Sequence, residues 1–315
     1  MKKSAAAIAA LILISTNVHA KGLPKVSDLK DAFKSQSKSA AEDIEEAFSE
    51  ITAPGKDAIG EIGTVVDSFS KAAEDITPEN EYYIGRSVAA NILSNYKTAK
   101  NPKLETYLNS ICTALVLNSE DPELYNGYHV KILESDEINA FSTSGGHIFI
   151  TKGLIACTDS EDTLAAVIAH EIAHIQLKHS VKSIKANRFN DALLTSASVT
   201  SDALGMEKLS KSMEGAAGDA YSSLVNSGFS QTQEFEADKA ALKLMADAGY
   251  DPKAMVTMLE KMKKAQTSAP KTGFYKTHPS PASRIGNVKA YLNKYKVKDS
   301  KSYRTERYTK ATSAK

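Results

Sequence analysis

Apolar residues recur at roughly helical spacing early in the chain, at Val26, Leu29, Phe33, Ala40, Ile44, Phe48 and Ile51. Pro54-Gly55 interrupts the pattern. Ile59, Ile62, Val66, Phe69, Ala73 and Ile76 then alternate steps of three and four, the pattern of a seam between packed helices. The stretches Ser37 to Ile44 and Ser70 to Ile76 are similar to each other. Residues 21–77 therefore read as an accessory helical hairpin with a weak internal repeat. Three roles fit it: packing on the main domain, a partner-binding or oligomerising arm, or a removable cover over an active site.

Thr77-Pro78 marks a boundary, with Thr77 as N-cap and Pro78 at the first helical position. The spacing predicts helices from about Glu79 to Tyr96 and from Pro102 to Leu117. Tyr128 to Glu134 alternates like a half-buried strand, and Gly145-Gly146 suggests a hairpin bend before a second strand over residues 147–150. That second strand would lie at a sheet edge and take up an extended peptide. His147 reads as an exposed or hydrogen-bonded strand residue. Ser160 caps a helix whose residues from Leu164 to Leu177 are apolar nearly all round, which predicts burial. A polar, Ser- and Ala-rich stretch from about residue 180 to 227 reads as a solvated spacer or a mobile flap. Further helices follow from Gln233 and from Pro281. Residues 293–315, basic with interleaved tyrosines, read as a disordered tail, with weak binding to an anionic envelope surface as the alternative.

Composition adds little to this pattern except by exclusion. The 315 residues are 42% hydrophobic and 24% charged, with a formal net charge of +1, so the chain can bury a core and shows no bias towards nucleic acid. Residues 1–20 carry Lys2 and Lys3, an apolar stretch and a Val18-His19-Ala20 ending, which together read as a signal peptide. The expected location is the periplasm, as a soluble exported protein. Cys112 and Cys157 sit in apolar helical contexts and read as unpaired thiols.

The chemistry concentrates in Ala169-His170-Glu171-Ile172-Ala173-His174. On a helix, His170 and His174 share one face with Glu171 beside them, the H-E-x-x-H arrangement of two metal-binding imidazoles and a base. A core helix with two hydrogen-bonded histidines is the competing reading. A catalytic zinc needs a third protein ligand. The extended pattern with a downstream Gly and His fails, because Leu177 and Ser180 stand at those positions; His179 is displaced by one and reads as solvent-facing. Downstream, Glu234 and Asp238 lie one helical turn apart: Glu234 can close the zinc site and Asp238 can accept the free ring N–H of a ligand histidine, while Glu236 points elsewhere. Acidic residues placed in a first turn for the helix dipole are the alternative. His278, before Pro279, has two readings: a role at the site or a loop residue capping the last helix. Arg284 reads as an anchor for that loop by an ion pair, with contact to a substrate carbonyl as the alternative.

H-E-I-A-H followed by E-F-E-A-D resembles the zinc metallopeptidase family of the CAAX prenyl endopeptidase, HtpX and BepA-LoiP type. Asn139-Ala140-Phe141, the run from Gly145 to Leu154 and the run from Thr277 to Ile285 resemble it too, so the likeness covers roughly residues 78–292. The resemblance implies one Zn²⁺ per chain on His170, His174 and Glu234, Glu171 as general base towards a metal-activated water, Asp238 in support, and His278 as a mobile gate. The chain departs from membrane-embedded relatives in lacking their spans, which makes prenylated substrates unsuited to it. The expectation is thus a mostly helical α+β, zincin-like domain over residues 78–292. It would act as an endopeptidase on unfolded or unassembled envelope proteins, bound in extended form, in protein quality control. The competing function is a chaperone-like binding protein with a closed or non-catalytic zinc site.

Overall fold

Thr77 accepts a hydrogen bond from the Asn80 N–H at 3.2 Å and opens helix α1, Pro78–Asn95, with proline where no N–H is needed. The computed structural model describes residues 76–185, 228–266, 278, 280–295 and 301–313. The leader, all but the last two residues of the hairpin segment and most of the 180–227 stretch lie outside them. Every element below belongs to one compact unit, drawn from residues 76–184 and 216–315.

Asn101 caps α2, Pro102–Leu117, whose Leu104, Leu108, Ile111, Cys112 and Leu115 recur at three and four and are buried. The sheet follows: β1 His129–Leu133, β2 Ala140–Ser142 and β3 His147–Thr151, in the order β1-β3-β2. β3 runs parallel to β1, with Val130 opposite Ile148, and antiparallel to β2, with Phe141 opposite Phe149. The expectation that the strand of residues 147–150 forms a sheet edge is therefore corrected, because β3 is central and the short β2 takes the edge. Val130, Ile132, Ile148 and Ile150 enter the main core, whereas Leu133, Phe141 and Phe149 pack with Val88, Ala89 and Ile92 of α1. Both faces are thus covered, so β2 and β3 are buried almost throughout and do not alternate with solvent.

The β2–β3 turn rests on glycine. Gly146 has φ +83°, and a Cβ there would stand 2.2 Å from the Gly127 carbonyl oxygen. Gly85 lets α1 cross this turn, since its Cβ would fall 2.1 Å from the Gly145 nitrogen.

After the short α3, Lys152–Cys157, the Ser160–Thr163 capping box starts α4, Glu161–Gln176, which is buried from Glu161 to Ile175. It packs against α2, the sheet, and three later helices: α5 Gln231–Asp247, α6 Lys253–Gln266 and α8 Lys301–Thr312. α7, Pro281–Leu292, lies on α5 and α6. Large-to-small changes at Ile168 or Ile172, both fully buried, belong to the class that costs about 2–5 kcal/mol.

Within residues 293–315, the segment read as a disordered tail, Lys301–Thr312 is instead a helix. α8 docks on the start of α4: Arg304 donates to Asp162 at 3.1 Å, Arg307 to Glu161, and the Tyr308 hydroxyl to the Thr158 carbonyl at 2.8 Å. Cys112 and Cys157 are not joined in a disulfide, and burial pushes Cys112 up to about 12. Among the described residues no helix is long and apolar enough to cross a membrane.

Candidate metal centre

α4 carries His170 and His174 one turn apart, with Nε2 atoms 3.1 Å from each other. α5 crosses this helix and brings Glu234 to both, 3.5 Å from His170 Nε2 and 3.3 Å from His174 Nε2. Donors placed about 2.0–2.2 Å from one tetrahedral zinc lie about 3.3–3.5 Å apart, so this triangle has the dimensions of a coordination face. His278 supplies a fourth donor within the same 4.8 Å cluster, its Nδ1 2.7 Å from Glu234 Oε1.

The charge balance of the pocket also suits a dication. Glu171, Glu234 and Asp238 are at most 1% exposed, and Arg284, equally buried, is the guanidinium among them. With the histidines neutral, as metal ligands must be, three carboxylates against one guanidinium leave two negative charges in a dry site, which a divalent cation would offset. Arg284 binds Asp238 through two nitrogens, at 2.9 and 2.6 Å, and reaches Glu234 at 3.1 Å. It sits on α7, so it ties that helix to α5. Asp238 Oδ1 in turn lies 3.1 Å from His170 Nδ1.

Burial and the Arg284 charge push His170 down, but hydrogen bonds to Asp238 and Glu234 more than compensate and carry it up to about 9. Burial dominates at His174 and takes it down to about 3. The two rings face each other with Nε2 atoms 3.1 Å apart, so a proton on His170 also disfavours one on His174. Glu234 would be raised by burial, yet the charges of His278 and Arg284 hold it well below the usual carboxylate range.

Glu171 stands apart from this network. Both its carboxylate oxygens are buried without a hydrogen-bond partner, and the nearest cation-capable atom is His278 Nε2 at 4.0 Å. Leaving a carboxylate so placed is expensive in free energy. Beside it lies a recess of ≈ 20 Å³ walled by Val167, Met255, Met258 and Leu259.

The structure thus brings together His170, Glu171, His174, Glu234, Asp238 and His278. It corrects one expectation: His179 is not solvent-facing but fully buried, with Nδ1 2.9 Å from His174 Nδ1 and Nε2 3.3 Å from Glu236 Oε2. Burial and the neighbouring His174 charge push His179 down to about 4. Phe229, also unread from sequence, stacks on the His174 ring with centroids 4.0 Å apart. His147 lies outside the cluster, 3.1 Å from the Thr143 hydroxyl and stacked on Tyr82.

The model of peptidase family M48 matches residues 100–292. The chain is 27% identical over 232 residues to the beta-barrel assembly-enhancing protease of Escherichia coli (strain K12), covering 73% of this chain and 47% of that protein. It is 29% identical over 232 residues to the mitochondrial metalloendopeptidase OMA1 of Schizosaccharomyces pombe, covering 71% and 64%. With metalloprotease LoiP of Escherichia coli (strain K12) it shares 32% identity over 160 residues, 50% of this chain and 60% of that one. The chain spans about half the length of the beta-barrel assembly-enhancing proteases it matches.

Proposed function

The chain belongs to peptidase family M48, and on that premise we propose that it is a zinc-dependent endopeptidase acting on unfolded or unassembled envelope proteins. The observation that carries this reading is the pairing of a donor triangle, His170, His174 and Glu234, with the unpartnered buried carboxylate of Glu171. Those three residues would hold a zinc ion, which would supply Lewis acidity to a water molecule and to the scissile carbonyl. Glu171 would take a proton from the attacking water and deliver it to the leaving amine. Asp238 accepts the Nδ1–H of His170 and so keeps its Nε2 lone pair for the metal.

The substrate lies extended along β2. The antiparallel ladder uses the backbone of residues 139 and 143 towards β3, so by alternation the groups of Ala140 and Ser142 turn to the outer edge. That edge is closed in this structure, with both residues at most 1% exposed and the Ala140 N–H donating to Asn139 Oδ1 at 2.9 Å, so an added strand would pair there only once it opens. The envelope role is supported by the leader pattern of residues 1–20 and by the likeness to the beta-barrel assembly-enhancing protease of Escherichia coli.

A binding protein with a shut site is the second reading. The donors and Glu171 are at most 3% exposed, and His278 closes on Glu234. Cleavage of casein by the purified, zinc-loaded chain separates the two. Chelator-sensitive cleavage that vanishes in Glu171→Gln, with zinc still bound one per chain, is the expected result. Equal turnover of that variant would remove Glu171 from its role, and zinc binding without any cleavage would favour the binding protein.

A further inference from the structure

α4 ends at Gln176, and the chain then turns through Lys178, which takes φ +55°. That left-handed residue closes the helix as glycine more often does, with the Leu177 N–H still bonded to the Ala173 carbonyl. A new helical segment starts at His179. On an uninterrupted helix, residue 179 would point about 140° away from residue 174. The reversal instead sets its ring beneath that of His174.

With a metal on the donor triangle, the hydrogen-bond chain that results leaves no choice of protons. His174 must then keep its Nε2 lone pair for the ion it would share with His170 and Glu234, so its proton must sit on Nδ1. That nitrogen is 2.9 Å from His179 Nδ1, which must therefore accept. The His179 proton is then on Nε2, aimed at Glu236 Oε2 3.3 Å away. Were His179 to present N–H at Nδ1, the His174 proton would move to Nε2 and stand between the metal donors. Phe229 fixes the plane of the same ring by stacking on it.

We infer that His179 is a positioning residue for the metal: it selects the tautomer and orientation of His174 and hands the polarisation on to Glu236. The two ligand histidines are thus supported by different chemistry. His170 is backed by a carboxylate locked to Arg284, and His174 by a neutral imidazole whose own partner carboxylate is half-exposed. This inference rests on the zinc reading of the site.

The test measures zinc affinity of the full mature chain by competition with a chromogenic chelator, together with the absorption spectrum of the Co²⁺-substituted protein. Three variants are compared: His179→Leu, His179→Asn and Glu236→Ala. Leucine removes the acceptor, so affinity is expected to fall about 10- to 100-fold, the range for lost outer partners of metal ligands. Asparagine places an oxygen about where Nδ1 stood and should restore most of that loss and the parent cobalt spectrum. Glu236→Ala, on a half-exposed side chain and harmless to folding, should lose several-fold. Equal affinity of wild type and His179→Leu, or equal losses in the leucine and asparagine variants, would reduce His179 to packing. If His179→Leu does not fold, wild-type affinity and cobalt spectrum in Glu236→Ala overturn the relay. A wild-type chain that binds no zinc would instead overturn the metal reading, and this inference with it.

Discussion

Arg284 serves two buried carboxylates at once, because Asp238 and Glu234 both lean on it inside a dry pocket. Replacing it by leucine strands two buried carboxylates, and breaking such a pair costs about 3–5 kcal/mol. We expect Arg284→Leu to lower the urea midpoint of the chelator-treated protein accordingly, and Arg284→Lys to recover only part, since an ammonium cannot fork across Asp238. A lysine variant as stable as the parent would show that charge alone suffices. Proton traffic is the second consequence at this scale. In metal-free protein His170 keeps its proton up to about 9, so near neutral pH the metal must displace it. Affinity should then rise with pH, about tenfold per unit up to that value, with one proton released from His170 per zinc bound. Calorimetry in two buffers of different ionisation enthalpy counts that proton, and zero release would refute the assignment. The spacing within α4 and α5 made these ligand candidates legible, because i and i+4 must share a face. His179 was illegible for the complementary reason: its direction is set by one left-handed residue, Lys178, that no periodicity reports.

α8 shows how an element is lost in local reading. Arg304, Arg307, Tyr308 and Ala311 follow a helical stripe, but the mean composition is that of a solvated tail. What orders it lies far away in sequence: Arg304 and its partner Asp162 are 142 residues apart. Arg304 is 5% exposed, also donates to the Gly249 carbonyl at 3.0 Å, and lies over the Tyr250 ring. Removing it as Arg304→Leu should cost about 3 kcal/mol, close to the value for breaking a buried pair. Arg307→Ala should cost less, because its side chain is 56% exposed and Tyr107 still donates to Glu161. Chemical denaturation of the two variants tests the order, and a larger loss in Arg307→Ala would mean that Glu161 carries the docking. The sheet was half-legible in the same sense. The position of β1 followed from alternation and that of β3 from the glycine pair before it, but β2 and the place of β3 between its neighbours depend on pairing partners that a single segment does not name.

At the scale of the whole molecule the notable property is closure, which no motif could announce because it arises only when α4, α5, α7 and the His278 segment meet. The order of motifs made the enzyme class legible; it did not say that every reacting group would be shut from water. His170, Glu171, His174, Glu234 and His278 are each at most 3% exposed. Neither a substrate carbonyl nor a chelator can reach the donors without displacement of something, and His278 donates to Glu234 at 2.7 Å from a position outside the regular elements. If movement of His278 is the opening step, metal loss to excess chelator should be slow and independent of chelator concentration in the parent, because opening precedes capture. His278→Ala should then lose metal several-fold faster and show higher basal casein cleavage, as both processes pass through the same open form. Faster metal loss with unchanged cleavage would leave His278 as a fourth donor and not a gate. Parent-like values for both would place the barrier elsewhere in the packing around α4.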